Sequence, residues 1–239
     1  MMTDIERPCL QRLDALFEFN ILRVLDLQQK YLIQSSCRWL KYRSGDVVIG
    51  RDSDSTDIYF IISGSVKVII RSSNGREVLL DTLQAGQYFG ELSGIDSRRR
   101  SATIEAFTDC QIASIRSDTF HETVLANPEA CRSLLFDLST VIRNATSRIT
   151  DVSTICSHGR IHKVLLKLAS KNIASDNSAR IRPVPARRDI AGLASTVPET
   201  VSRVIRKLED DGVLHRRRDH LFLPNIERLR RIAEVDAIN

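Results

Sequence analysis

Residues 85–106 read AGQYFGELSGIDSRRRSATIEA. A glycine-containing turn carries Glu91, and Arg100 follows nine residues later. A short helix opening at Gly90-Glu91-Leu92 would turn free backbone N–H groups toward an anion. Arg100 supplies a planar fork matched to a phosphate. Glu91 can accept hydrogen bonds from a sugar hydroxyl, or it can orient Arg100. A carboxylate and a cation in one pocket suit a ligand that carries both a hydroxyl and a phosphate. The same two residues could instead pair with each other and close a β-roll with no ligand. Spacing alone leaves both readings open.

Around this stretch the chain is β-rich. The runs DVVIG (46–50), DIYFIISG (57–64), SVKVII (65–70), EVLLDTL (77–83), TIEAF (103–107) and CQIASI (110–115) are short and punctuated by Gly45, Gly64, Asn74-Gly75 and Gly86. Asn74-Gly75 between two apolar runs is a hairpin signal. Many short strands with frequent turns predict an antiparallel barrel or roll. Upstream, Leu10, Leu13, Leu16, Phe17, Ile21, Leu22 and Leu25 recur at helical spacing over residues 8–36. The expected fold class is α+β: an N-terminal antiparallel, jelly-roll-like β-roll with flanking helices.

Downstream, a helix begins near Ser117 and breaks around Asn127-Pro128. A long helix then carries Cys131, Leu135, Leu138, Ile142, Ala145, Ile149, Val152 and Cys156, advancing by alternating steps of four and three. That 3.5-residue period marks a two-stranded coiled-coil seam. A core helix packed on its own domain is the other possibility. The narrow, sustained stripe favours a homodimer through residues 131–156.

The chain has 239 residues and a formal charge of +5, with 42% apolar and 27% charged residues. That is a globular composition with room for one or two domains. The charge is uneven. Residues 1–158 hold 18 Lys+Arg against 20 Asp+Glu, a net −2, and residues 159–239 hold 17 against 10, a net +7. A basic last third points to nucleic acid. No apolar run approaches the ~18 residues of a membrane span. The N-terminus has no apolar signal region. Cys9, Cys37, Cys110, Cys131 and Cys156 are widely spaced and include no CxxC, so reduced thiols in the cytoplasm are expected, and no metal. There is no P-loop, GxSxG or HExxH, so an enzyme is not expected.

Residues 187–214, RRDIAGLASTVPETVSRVIRKLEDDGVL, read as a helix-turn-helix followed by a hairpin wing and a last helix. Ile190, Leu193, Val201, Ile205 and Leu208 would bury the angle between the helices, with KNIASDNSARIRPVP upstream as a polar loop. Pro198 fits the first position of the second helix. Thr196, Pro198, Glu199, Thr200, Ser202, Arg203 and Arg206 would then lie at or near its DNA-facing end. Arg203 can bond guanine O6 and N7, and Glu199 can accept from cytosine N4. Arg187, Arg188 and Arg216–Arg218 suit phosphates.

FGEL followed by RRRSAT is similar to the phosphate-binding cassette of cyclic-nucleotide domains, and ETVSR resembles a recognition-helix signature. Together with the heptad helix they resemble the CRP/FNR family of bacterial transcription regulators over nearly the whole chain. The resemblance implies a cyclic nucleotide effector, cAMP or cGMP. Gly90, Glu91 and Leu92 would meet ribose and phosphate, Arg100 and Ser101 would hold the cyclic phosphate, and Val68 and Leu80 would flank the base. The family's adenine-reading Thr–Ser pair aligns with Ala145-Thr146, so the seam-facing hydroxyl is absent. The usual turn glycine is Ser195. The implied domains are a nucleotide-binding roll (1–128), a dimerisation helix (129–157) and a winged helix-turn-helix (158–239), with a hinge at Gly159-Arg160-Ile161. The implied partners are a pseudo-palindromic double-stranded DNA operator and RNA polymerase, with no membrane. A haem, gas or redox sensor, or an effector-independent regulator, on the same fold is the alternative.

Overall fold

The strand Ile58–Ser63 is apolar at nearly every position, which is the mark of a strand covered on both faces. Its period-two alternation sorts the side chains into two cores. Ile58 and Phe60 face one core, Tyr59 and Ile61 the other. The strand Cys110–Ile115 does the same, with Ala113 and Ile115 on the first side and Cys110 and Ile112 on the second. The first core lies under helices; the second is sealed between two sheets.

The computed structural model describes residues 14–71 and 77–236. In chain order the strands are β1 (Arg38–Tyr42), β2 (Val47–Ile49), β3 (Ile58–Ser63), β4 (Ser65–Arg71), β5 (Glu77–Gln84), β6 (Tyr88–Phe89), β7 (Thr103–Ala106) and β8 (Cys110–Ile115). Two antiparallel four-stranded sheets, β1-β8-β3-β6 and β2-β7-β4-β5, form the expected roll. β4 and β5 pair as a hairpin whose turn, Asn74-Gly75, lies outside the described residues. Leu10 and Leu13 also lie outside them. The rest of the upstream helical stretch is not one helix. It breaks into short pieces, including Asn20–Arg23 and Leu27–Ser36, and the second is opened by a capping box between Asp26 and Gln29.

The chain divides into two compact units, residues 1–141 and 142–239. The division falls inside the long helix, Pro128–Thr154. In the first unit Ala130 and Leu134 are buried on the roll, and Leu138 packs against the same core. In the second, Lys163 pairs with Asp151 at 2.7 Å, which ties the C-terminal part of the long helix to the helix Ser157–Ala169. The long helix ends before Ile155. Cys156, expected on the long helix, instead caps the helix Ser157–Ala169. Gly159-Arg160-Ile161, the expected hinge, is helical, and Gly159 is buried with no room for a Cβ beside Ile155 and Asp236.

The second unit continues with β9 (Ala179–Ile181), helix Arg187–Leu193, helix Pro198–Asp210, β10 (His215–Arg216), β11 (Leu221–Leu223) and helix Ile226–Asp236. β9 emerges from the stretch expected to be a polar loop and completes a β10-β11-β9 sheet beneath the wing. Ile190, Val201, Ile205 and Leu208 are buried at the helix-turn-helix angle as expected. Leu193 is only half-buried, and Ala191, Ala194 and Val204 fill the space instead.

Candidate ligand cassette and DNA-contacting face

Phe89 ends β6, and the chain turns sharply at Gly90, whose φ is +86°, into the short helix Glu91–Asp96. A Cβ on Gly90 would sit 2.6 Å from Arg100 Nη1 and 2.8 Å from the Asp57 carbonyl oxygen. Only glycine satisfies both the backbone angle and the space.

Arg100 is 3% exposed. Its Nε donates to Ser55 Oγ at 3.0 Å, Nη1 to the Gly90 carbonyl at 2.8 Å and Nη2 to the Asp57 carbonyl at 2.6 Å. The guanidinium also stands over the Tyr59 ring. Among the described residues it forms no ion pair with Glu91 or any other carboxylate. Burial pushes its pKa down, while Tyr59, Asp57 and Glu91 oppose that shift. The pairing that would close the roll without a ligand is therefore not formed. A buried cation is held by neutral acceptors, and three bonds leave two of its five N–H donors for an anion.

Glu91 opens the cassette helix and is half-buried. That burial raises its pKa; its own backbone hydrogen bond and Arg100 pull it down, and Asp137 pushes it up. Asp137 lies on the long helix and accepts a hydrogen bond from the Tyr88 hydroxyl at 2.8 Å. The Tyr88 pKa is raised by burial first and by that bond second. Leu92 is exposed, as is Ser101. Val68 is half-buried, the β4–β5 register shifts between Val68 and Ile69, and Leu80 is exposed. Ala145 and Thr146 are exposed on the part of the long helix that belongs to the second unit.

Sequence reasoning missed Ser55, Asp57 and Tyr59, which hold Arg100, and Tyr88 and Asp137 behind Glu91. Their contacts join residues far apart in the chain, and no local spacing signals them.

In the second unit Pro198 occupies the first turn of the second helix, and Glu199, Arg203 and Arg206 stand on its exposed face. Glu199 and Arg203 are four residues apart and so share that face. Two expected members differ. Thr200 is 9% exposed and turns into the core, because it falls on the same stripe as Val201, Val204 and Leu208. The Ser202 hydroxyl donates to the Pro198 carbonyl at 2.9 Å, a local bond that satisfies it within the helix. Thr196 is half-buried in the turn, where its N–H bonds the Ala191 carbonyl. Arg187 is half-buried, whereas Arg188 and Arg216–Arg218 are exposed and suited to phosphates. Gly212 closes the second helix in the left-handed region at φ +65°, and the Val213 N–H bonds the Leu208 carbonyl across it, launching the wing.

Comparison with known proteins adds the family. The cyclic nucleotide-binding domain model matches residues 39–127, and the Crp-like helix-turn-helix domain model matches residues 159–232. The chain is 32% identical over 180 residues to the cAMP-activated global transcriptional regulator CRP of Haemophilus influenzae, covering 75% of this chain and 80% of that protein. The structure of FixK2 from Bradyrhizobium japonicum superposes with a TM-score of 0.71 at 20% identity, over 82% of this chain and 96% of that one. That of CLP from Xanthomonas campestris, described as a c-di-GMP responsive global regulator, gives 0.69 at 25% identity, over 83% and 99%. The chain belongs to the CRP/FNR family of DNA-binding transcription regulators, which are not enzymes, and carries a cyclic nucleotide-binding domain ahead of a Crp-like helix-turn-helix.

Proposed function

We propose that this regulator is a homodimer controlled by a cyclic nucleotide, cAMP or cGMP, bound in the roll. The observation that carries the reading is Arg100: a buried guanidinium bonded only to neutral oxygens, beside the Gly90-Glu91 turn. A cyclic phosphate supplies the missing counter-charge, and the half-buried Glu91 offers acceptor oxygens to a ribose hydroxyl. The CRP of Haemophilus influenzae is described as cAMP-activated, which fits this chemistry.

Dimerisation is supported by the long helix. Leu135, Ile142 and Ile149 are 60%, 65% and 69% exposed, and Val141 and Val152 widen the same uncovered apolar surface. A stripe at 3.5-residue spacing left open to water suits a second copy of the helix. Two copies would place two recognition helices on half-sites ~34 Å apart, and so would read a pseudo-palindromic operator. Under this reading the protein acts in the cytoplasm and communicates with RNA polymerase. Nucleotide controls it by binding one conformational state better than another.

A second effector class is favoured by two observations. Ala145 puts no hydroxyl on the seam, and a structural neighbour is described as c-di-GMP responsive. Calorimetric titration of the purified protein with cAMP, cGMP and c-di-GMP decides between them. Saturable binding of a cyclic mononucleotide that Arg100→Ala abolishes supports the proposal. Binding of c-di-GMP alone transfers the reading to the second class. Unchanged mononucleotide affinity in Arg100→Ala removes Arg100 from the pocket.

A further inference from the structure

The turn of the helix-turn-helix is gripped by two arginines from outside the motif. Arg148, on the long helix, donates from Nη2 to the Gly192 carbonyl at 2.6 Å and approaches Ser195 Oγ at 3.4 Å. Arg160, in the helix after it, donates from Nε to the Ala194 carbonyl at 2.8 Å and from Nη2 to the Ser195 carbonyl at 3.1 Å. Its Nη1 bonds the Ile155 carbonyl at 2.6 Å, where the long helix has just ended. Of the three carbonyls, that of Gly192 also accepts the Ser195 N–H at 3.2 Å, and those of Ala194 and Ser195 lie just past the end of the helix at Leu193.

The segment they hold is strained. Ser195 sits at φ +49° in the left-handed region, a conformation that suits glycine and disfavours serine. Three residues further on, Pro198 begins the recognition helix. The angle of that helix is therefore set by a turn whose own residue resists the required shape, and the donors that stabilise the shape come from elsewhere.

We infer that Arg148 is a positioning residue for operator recognition: through Gly192 and Ser195 it ties the register of the long helix to the orientation of the recognition helix. It touches no base. It acts on Glu199 and Arg203 by fixing the turn from which their helix starts. The consequence is that specific and non-specific DNA binding respond to it differently. Reading base edges needs the helix at one angle, whereas attraction to phosphates does not. The inference rests on the recognition-helix reading of residues 198–206.

The test uses the full-length protein and two duplexes: one selected by the wild-type protein from a randomised palindromic pool, and one of fixed unrelated sequence. Arg148→Ala is expected to lower affinity for the selected duplex about tenfold. Affinity for the unrelated duplex and the salt dependence stay the same. In a Ser195→Gly background the turn adopts its shape without help, so the loss on Arg148→Ala shrinks to about twofold. That coupling is what a double-mutant cycle reads. An equal loss in both backgrounds overturns the inference, as does no loss at all. A parallel loss on both duplexes with the salt slope reduced by about one also overturns it, because Arg148 would then be a phosphate contact. Arg203→Ala is the control for the underlying reading: if it leaves base preference intact, the recognition helix is misassigned whatever Arg148 does.

Discussion

Gly90 concentrates the demands of the cassette in one residue. A methyl group there meets Arg100 Nη1 and the Asp57 carbonyl, and it meets them in a backbone region that L-residues avoid. Gly90→Ala should cost about 1–3 kcal/mol of stability from backbone strain alone and displace Arg100. The expected result is a lower urea midpoint together with at least a tenfold weaker nucleotide titration. Loss of binding at full stability would mean the methyl obstructs ligand and leaves the fold alone. Ser195 presents the opposite case, a residue that would gain from becoming glycine. Ser195→Gly should raise stability by about 1 kcal/mol, read as a higher urea midpoint. Thr200 and Arg203, three residues apart, should separate cleanly. Thr200→Ala, buried, should lower stability and leave base preference unchanged. Arg203→Ala, exposed, should leave stability unchanged and relax preference by ~1–3 kcal/mol at one base pair per half-site, seen as a flattened profile in a competition series of single-base operator variants.

At the scale of elements, the long helix was readable because its two faces follow different rules. Ala130, Leu134 and Leu138 run at four-residue steps onto the roll, while Leu135, Ile142, Ile149 and Val152 keep the heptad spacing and remain uncovered. Replacing Ile142 by aspartate places charge on the uncovered stripe and removes nothing from either core. Sedimentation should then give the mass of one 27.0 kDa chain where the proposed dimer gives two. A dimer that survives the change would move the interface elsewhere. The roll and the helix-turn-helix were likewise legible, because alternation, turn residues and Pro198 are local signals. What escaped is non-local or short. β9 is three residues inside a polar stretch and exists because β11 pairs with it. The π-turn at His121–Leu125 has no composition of its own. The partners of Arg100 come from the loop around Ser55 and Asp57, some 45 residues away, where only folding brings them together.

At the scale of the molecule, acidity should act through the second unit. His162 is buried, with Nδ1 2.9 Å from Asp236, and His158 and Lys207 nearby. Desolvation lowers its pKa below the ordinary 6.5, outweighing the pull of Asp236. As pH falls through 6.5 the unfolded chain takes up a proton that the folded chain refuses, so stability declines below that pH and is fully present above it. The urea midpoint should drop between pH 7.5 and 5.5, and His162→Gln should reduce the drop; an unaltered pH profile would place the sensitivity in other groups. The way Arg100 is held has a consequence in time. A long side chain normally loses ~2 kcal/mol of rotamer freedom when a ligand captures it, and a pocket that must first organise itself binds slowly. Here three oxygens of the protein have already immobilised the guanidinium before any effector arrives. The entropy of that ordering belongs to folding, so under the proposed reading nucleotide capture would run near the rate of encounter, and the duration of a signal would be set by how quickly the nucleotide leaves.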